Sequence, residues 1–126
     1  MSVRPRLRPG PSHPITVEPF DGRVTVTFNG ATVADTTAAM TLQEADYPAV
    51  RYIPRGDVDP AVLERTDHTS YCPYKGDASY YSVKVGDRVA ENAIWTYETP
   101  YDPVEAIREY VAFYPDRIDS IDEKPA

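Results

Sequence analysis

The stretch Thr69-Ser70-Tyr71-Cys72-Pro73-Tyr74-Lys75-Gly76-Asp77-Ala78-Ser79-Tyr80-Tyr81 holds the single cysteine, a lysine three residues on, a Gly-Asp turn and four tyrosines. A thiol, an amine and phenols around a turn could line a small polar pocket. They could equally form the packed corner of a β-domain. A nucleophilic Cys72 needs its pKa depressed by a base or cation, and His68 and Lys75 both lie within a few residues. Cysteine is also among the residues most often buried as a small hydrophobe. Lys75 before Gly76 is the leading choice for an anion contact, because glycine lets a ligand approach the backbone. The glycine spacing of a phosphate-binding P-loop is absent. Glu98 is a possible acid/base or ligand-orienting group, or half of a structural ion pair with Arg51 or Lys75. No second carboxylate stands at a spacing that suggests a glycosidase pair. The catalytic candidates are therefore Cys72, Lys75 and Glu98, and the sequence names no reaction.

Ten tyrosines stand against three phenylalanines. Buried phenols need hydrogen-bond partners, so such an interior implies a polar cavity or a wet interface. Tyr52, Tyr71, Tyr80, Trp95 and Tyr97, joined by Cys72, Lys75 and Glu98, are the expected ligand-binding set, with the aromatic rings as walls for a flat ligand such as a nucleobase. The other reading is that they plug a sheet face or meet a second subunit. Zinc wants three or four ligands. His68 and Cys72 stand four apart, His13 lies in the N-terminal arm, and Asp67 and Asp77 add only a mixed, unspaced set. No metal site and no cofactor are expected.

The elements that must position these groups read mostly as β. Val24, Val26 and Phe28 alternate with Thr25 and Thr27, and Asn29-Gly30 then suits a tight hairpin turn into Ala31–Ala34. Further strands are expected over Ala38–Gln43, Val50–Pro54, Ser79–Val85, Ala93–Glu98 and Tyr110–Tyr114, with Gly86-Asp87 as a turn. Trp95 and Tyr97 should share one face, and Tyr81, Val83 and Val85 another. Asp59-Pro60 and Asp102-Pro103 each look like a helix start, with proline at the first helical position and aspartate as cap. Glu105 completes a capping-box-like pattern with Asp102, and both helices are expected to end on arginine, Arg65 and Arg108. No alternation of strand and long helix points to a parallel sheet.

The length of 126 residues fits one domain. Folding at this size hides roughly two-thirds of the unfolded surface, so neither disulfide nor metal is needed for a core. The lone Cys72 forms no internal bridge, the start carries no hydrophobic leader, and no apolar run approaches the length of a membrane span. The expectation is a cytoplasmic protein with no membrane partner. The net charge of −7 argues against a nucleic-acid partner. Residues 1–14, with Arg4, Arg6 and Arg8 among prolines, are expected as a flexible arm or a strap across a partner. Residues 15–118 form the β-domain, and 119–126 a frayed acidic tail.

Tyr52-Ile53-Pro54, Cys72-Pro73-Tyr74-Lys75-Gly76, Ser79-Tyr80-Tyr81, Trp95-Thr96-Tyr97-Glu98 with Pro100, and Tyr110-Val111-Ala112-Phe113-Tyr114 occur in this order. Together they resemble the domain of unknown function 427 family, small bacterial and fungal proteins with no settled activity, over nearly all of the chain from Phe20. The family also carries a nucleotidyltransferase-like label. The resemblance implies a β-tent-like fold, which in other families often carries zinc on paired Cys-x-x-Cys knuckles. With only Cys72, that site cannot be present here. Family members often have glycine where this chain has Glu109, which suggests that the helix runs straight on at this point. The expected fold is thus mainly β, a compact antiparallel β-tent-like single domain with one or two short helices. The expected function is binding of a small polar or anionic ligand, a nucleotide included, in a Tyr/Trp/Lys/Cys-lined pocket. The alternative is a non-catalytic homodimeric structural or interaction module.

Overall fold

The structure, a computed structural model, describes residues 4–126. Ten strands form two antiparallel sheets. They are β1 (Ile15–Pro19), β2 (Gly22–Phe28), β3 (Ala31–Thr36), β4 (Met40–Glu44), β5 (Val50–Pro54), β6 (Leu63–Cys72), β7 (Gly76–Val85), β8 (Arg88–Thr96), β9 (Tyr110–Phe113) and β10 (Ser120–Pro125). The larger sheet runs β1-β4-β5-β9-β8-β7-β6 and the smaller β10-β2-β3. The fold is mainly β, as the alternating apolar pattern predicts. Among the described residues no helix is long and apolar enough to cross a membrane.

Successive residues of a strand face opposite sides of a sheet, and the centre of the large sheet is buried on both. Ile53, Tyr81, Ile94 and Val111 pack with Val24, Val26 and Val33 of the small sheet in one core. Their neighbours Tyr52, Tyr80, Trp95 and Ala112 face the other way, into a second cluster with Leu42, Tyr97, Val104 and Ile107. Trp95 and Tyr97 therefore share a face, and Tyr81, Val83 and Val85 share the opposite one, as the alternation requires. The Asn29-Gly30 hairpin also forms, with φ of 50° and 78° at the two turn residues.

Several local expectations are corrected. Residues 60–65 are not a helix: a 3-10 turn covers only Pro60–Val62, and Leu63 opens β6. Asp59 does cap it, accepting from the Ala61 amide. The second helix is a kinked 3-10 segment, Asp102–Ile107, whose N-cap is Tyr101, so no Asp102 capping box forms. It does not run on through Glu109, which takes a left-handed φ of 61°. That φ ends the helical turn, and the Glu109 amide donates to the Tyr97 carbonyl. Residues 119–126 are not frayed, since β10 pairs with β2 from Ser120↔Thr27 to Pro125↔Gly22. Its two acidic residues are no obstacle, because Asp122 faces away from Ile121, which joins the core, and Glu123 pairs with Arg51. The arm also makes contacts: Leu7 N–H donates to the Pro73 carbonyl, Arg4 pairs with Asp77, and Arg6 lies 4.0 Å over the Tyr101 ring.

Candidate functional site

Lys75 is the residue around which the site is built. The tight turn from β6 to β7 places it, through its amide bond to the Cys72 carbonyl and its carbonyl's bond from Tyr101 N–H. Gly76 takes a φ of 106°, and Thr99 and Pro100 backbone atoms lie 3.6 and 3.9 Å from where a Cβ would stand. Protein backbone thus lies in ordinary contact with Gly76. The turn drives the Lys75 side chain inward until it is 11% exposed.

Its partner is Glu44, at the end of β4, which also accepts a hydrogen bond of 2.8 Å from His13 Nε2 or shares its proton. The His13 ring stacks on Tyr74 at 4.1 Å, so the turn that carries Lys75 also holds the imidazole. Burial pushes the Glu44 carboxyl up, but the hydrogen bonds from Lys75 and His13 outweigh it and leave its pKa below the usual value. The lysine is charge-neutralised as a result.

Above this pair opens a hollow of about 320 Å³. Tyr52, Lys75, Tyr80, Trp95 and Tyr97 all line it, so five of the eight expected ligand-binding residues meet, drawn from β5, the β6–β7 turn, β7 and the end of β8. Trp95 reaches across the small Ala112 of β9 to donate from Nε1 to the Tyr52 hydroxyl at 3.0 Å. Tyr80 shares a 2.8 Å hydrogen bond with Ser70. Tyr97 is 6% exposed and lines the hollow, but its hydroxyl is not a buried orphan: among the described residues the buried side-chain atom left without a partner is Arg51 Nε. Burial raises the Tyr52 and Tyr97 phenols well above their ordinary value, and pushes Tyr114 up to about 12. All three stay protonated hydrogen-bond donors at neutral pH.

The other three expected residues lie outside the lining. Cys72 is half-buried and packs against the cluster beside the hollow. Tyr71 turns outward, where its hydroxyl bonds the Pro5 carbonyl and Tyr101. Glu98 neither meets Lys75 nor Arg51. It accepts from both Arg65 nitrogens, at 2.6 and 3.0 Å, and from Ser79, and the Arg65 guanidinium holds its pKa down. His68 sits edge-on to Tyr80 at 4.4 Å. Among the described residues no group of three or more His, Cys, Asp or Glu gathers in a way that could hold a metal ion.

The sequence reading missed Glu44, Tyr47, Ser70 and Tyr114 of the lining. Glu44 had a signal: Met40, Leu42 and Glu44 alternate onto one strand face, which places a carboxylate in line with core residues. The other three carry none.

A family model described as Domain of unknown function (DUF427) matches residues 16–124. No curated protein matches the chain.

Proposed function

We propose that the chain, which belongs to the family described as Domain of unknown function (DUF427), binds a small, neutral, oxygen-bearing ligand in the aromatic hollow above Lys75. The observation that carries this reading is the Tyr97 hydroxyl, a donor with no protein partner among the described residues, on a side chain that lines the aromatic hollow. Two further donors face the same space. Glu44 takes one N–H of Lys75 and leaves two, and Tyr52 accepts from Trp95 with its own O–H unused. Three donors and an aromatic wall suit a ligand with carbonyl, amide or hydroxyl oxygens. The volume falls at the small end of the ~300–1,000 Å³ typical of ligand pockets.

A nucleotide draws less support. No arginine lines the hollow, and Glu44 cancels the only cation, so little remains to meet phosphate charge. The homodimer alternative also draws less: Tyr52, Tyr80 and Tyr97 turn inward, and the exposed large apolar side chains Leu7, Tyr47 and Val89 stand on three separate segments. The reading assigns no reaction and no catalytic part to Cys72, Lys75 or Glu98. A thermal-shift screen of small amides, polyols, carboxylates and nucleotides tests it, with Tyr97→Phe as control. Neutral oxygen-bearing compounds should raise Tm by several degrees at saturation, and less in the variant. No response to any of them, or a response to nucleotides alone, refutes it.

A further inference from the structure

A second hollow of about 560 Å³ adjoins the first. Strand pairing explains it. β5 and β9 are joined by only two residue pairs, Ile53↔Val111 and Pro54↔Tyr110. Val50, Arg51 and Tyr52 have no ladder partner on β9, whose last residue is Phe113. This unpaired stretch lies between the two hollows. Tyr47, Pro48, Val50 and Trp95 border both hollows, so the two share a wall. Beyond Trp95 the lining changes character. Val24, Ile53, Phe113 and Ile121 line it on one side, and the polar groups of its lining are Arg51, whose Nε is buried, Glu123 and the Tyr47 hydroxyl.

Protein interiors are close-packed, with few voids larger than a water molecule. An apolar space of this size beside a donor-rich one is a poor place for water, which needs two to four polar partners. Resting on the binding reading above, we propose that the ligand is an amphiphile. Its carbonyl-bearing head sits among Tyr52, Lys75 and Tyr97, and its hydrocarbon tail passes Trp95 into the second hollow. The shared lining makes one bent site, and both hollows together still fall within the range of known ligand pockets.

Trp95 is the sole tryptophan of the chain, so its fluorescence reports occupancy of either hollow. The test titrates the full chain with n-alkanamides from acetamide to octanamide, below the concentration at which they aggregate. The dissociation constant should fall about fourfold per methylene until the inner hollow is full. Ala49→Phe places a ring at an exposed position that borders the second hollow and not the first. It should abolish the chain-length dependence and leave acetamide binding unchanged. Tyr97→Phe should weaken every member of the series by the same factor. Nuclear Overhauser contacts from the octanamide tail methyl to Val24 and Ile121 give the same answer without any variant, and their absence at saturation overturns the proposal. Acetamide binding with no gain from longer tails also overturns it and leaves the polar-site reading standing. A gain that survives in Ala49→Phe places the tail elsewhere and overturns it too. No binding by any amide defeats both.

Discussion

Replacing Glu44 with glutamine probes the one charged contact on which the hollow is floored. The side chains of Lys75 and Glu44 are 11% and 14% exposed, and His13 adds a second donor at 2.8 Å. A hydrogen bond to a charged group contributes about 1.5–3 kcal/mol, and breaking a buried pair by removing one partner costs about 3–5. Solvent reaches this pair through the hollow, and the glutamine oxygen keeps one acceptor, so the lower range applies. We expect Glu44→Gln to cost about 2 kcal/mol at pH 7, a fall in Tm of roughly 6–8 °C. The pH dependence fixes the cause. The folded-state pKa of Glu44 lies below its ordinary value of 4.5, so its contribution is full above that pH and is lost as pH falls through the folded value. Urea unfolding of both proteins from pH 7 down to pH 3 measures this. The two stabilities should differ steadily above pH 5 and converge in acid. No difference at pH 7, or one that persists undiminished at pH 3, refutes an ionised Glu44 as the partner of Lys75.

Tyr97→Phe should be neutral to within about 0.5 kcal/mol in thermal melts, since its hydroxyl has no protein partner among the described residues and is not a buried orphan, whereas Tyr52→Phe strips the acceptor from Trp95 Nε1 and should cost about 1–2. Glu109→Gly relieves a left-handed residue that carries a Cβ, and a gain of about 0.5–1 kcal/mol in urea unfolding is expected. Truncation after Asp119 removes the partner strand of β2 and the Ile121 contact. It should cost several kcal/mol and promote aggregation, measured by melting and light scattering, where a loose tail would cost nothing.

The strands that were legible are those with one clear apolar face or a turn residue with few options. Val24 to Phe28 alternates and Asn29-Gly30 can do little but turn. β6 was illegible for a physical reason: it is an edge strand, mostly exposed, so Glu64, Arg65, Asp67 and His68 carry no burial pattern to read. Its first residues were claimed by the Asp59-Pro60 start signal, which the structure uses for a single 3-10 turn. β10 hid behind its acidic residues, because a short strand on a two-layer sandwich needs only one side chain, Ile121, to face inward. For the site, Tyr52, Tyr80, Trp95 and Tyr97 were found because their strands and faces were right. Tyr71 and Glu98 were misplaced because a one-residue step along a strand reverses the face. The Glu44 partnership spans 31 residues and rests on β4 and the β6–β7 turn meeting in space, which no local pattern encodes.

The pairing of β2 with β10 has a bearing on how the chain is made. Thr27 and Ser120, hydrogen-bonded across these strands, are 93 residues apart. At ribosomal speeds of ~5–20 residues per second, β2 emerges about 5–20 s ahead of its outer neighbour. During that interval its hairpin with β3 presents a naked flank to the cell. The nascent protein is then most exposed to wrong partners, and chaperone capture should concentrate on Val24 to Phe28.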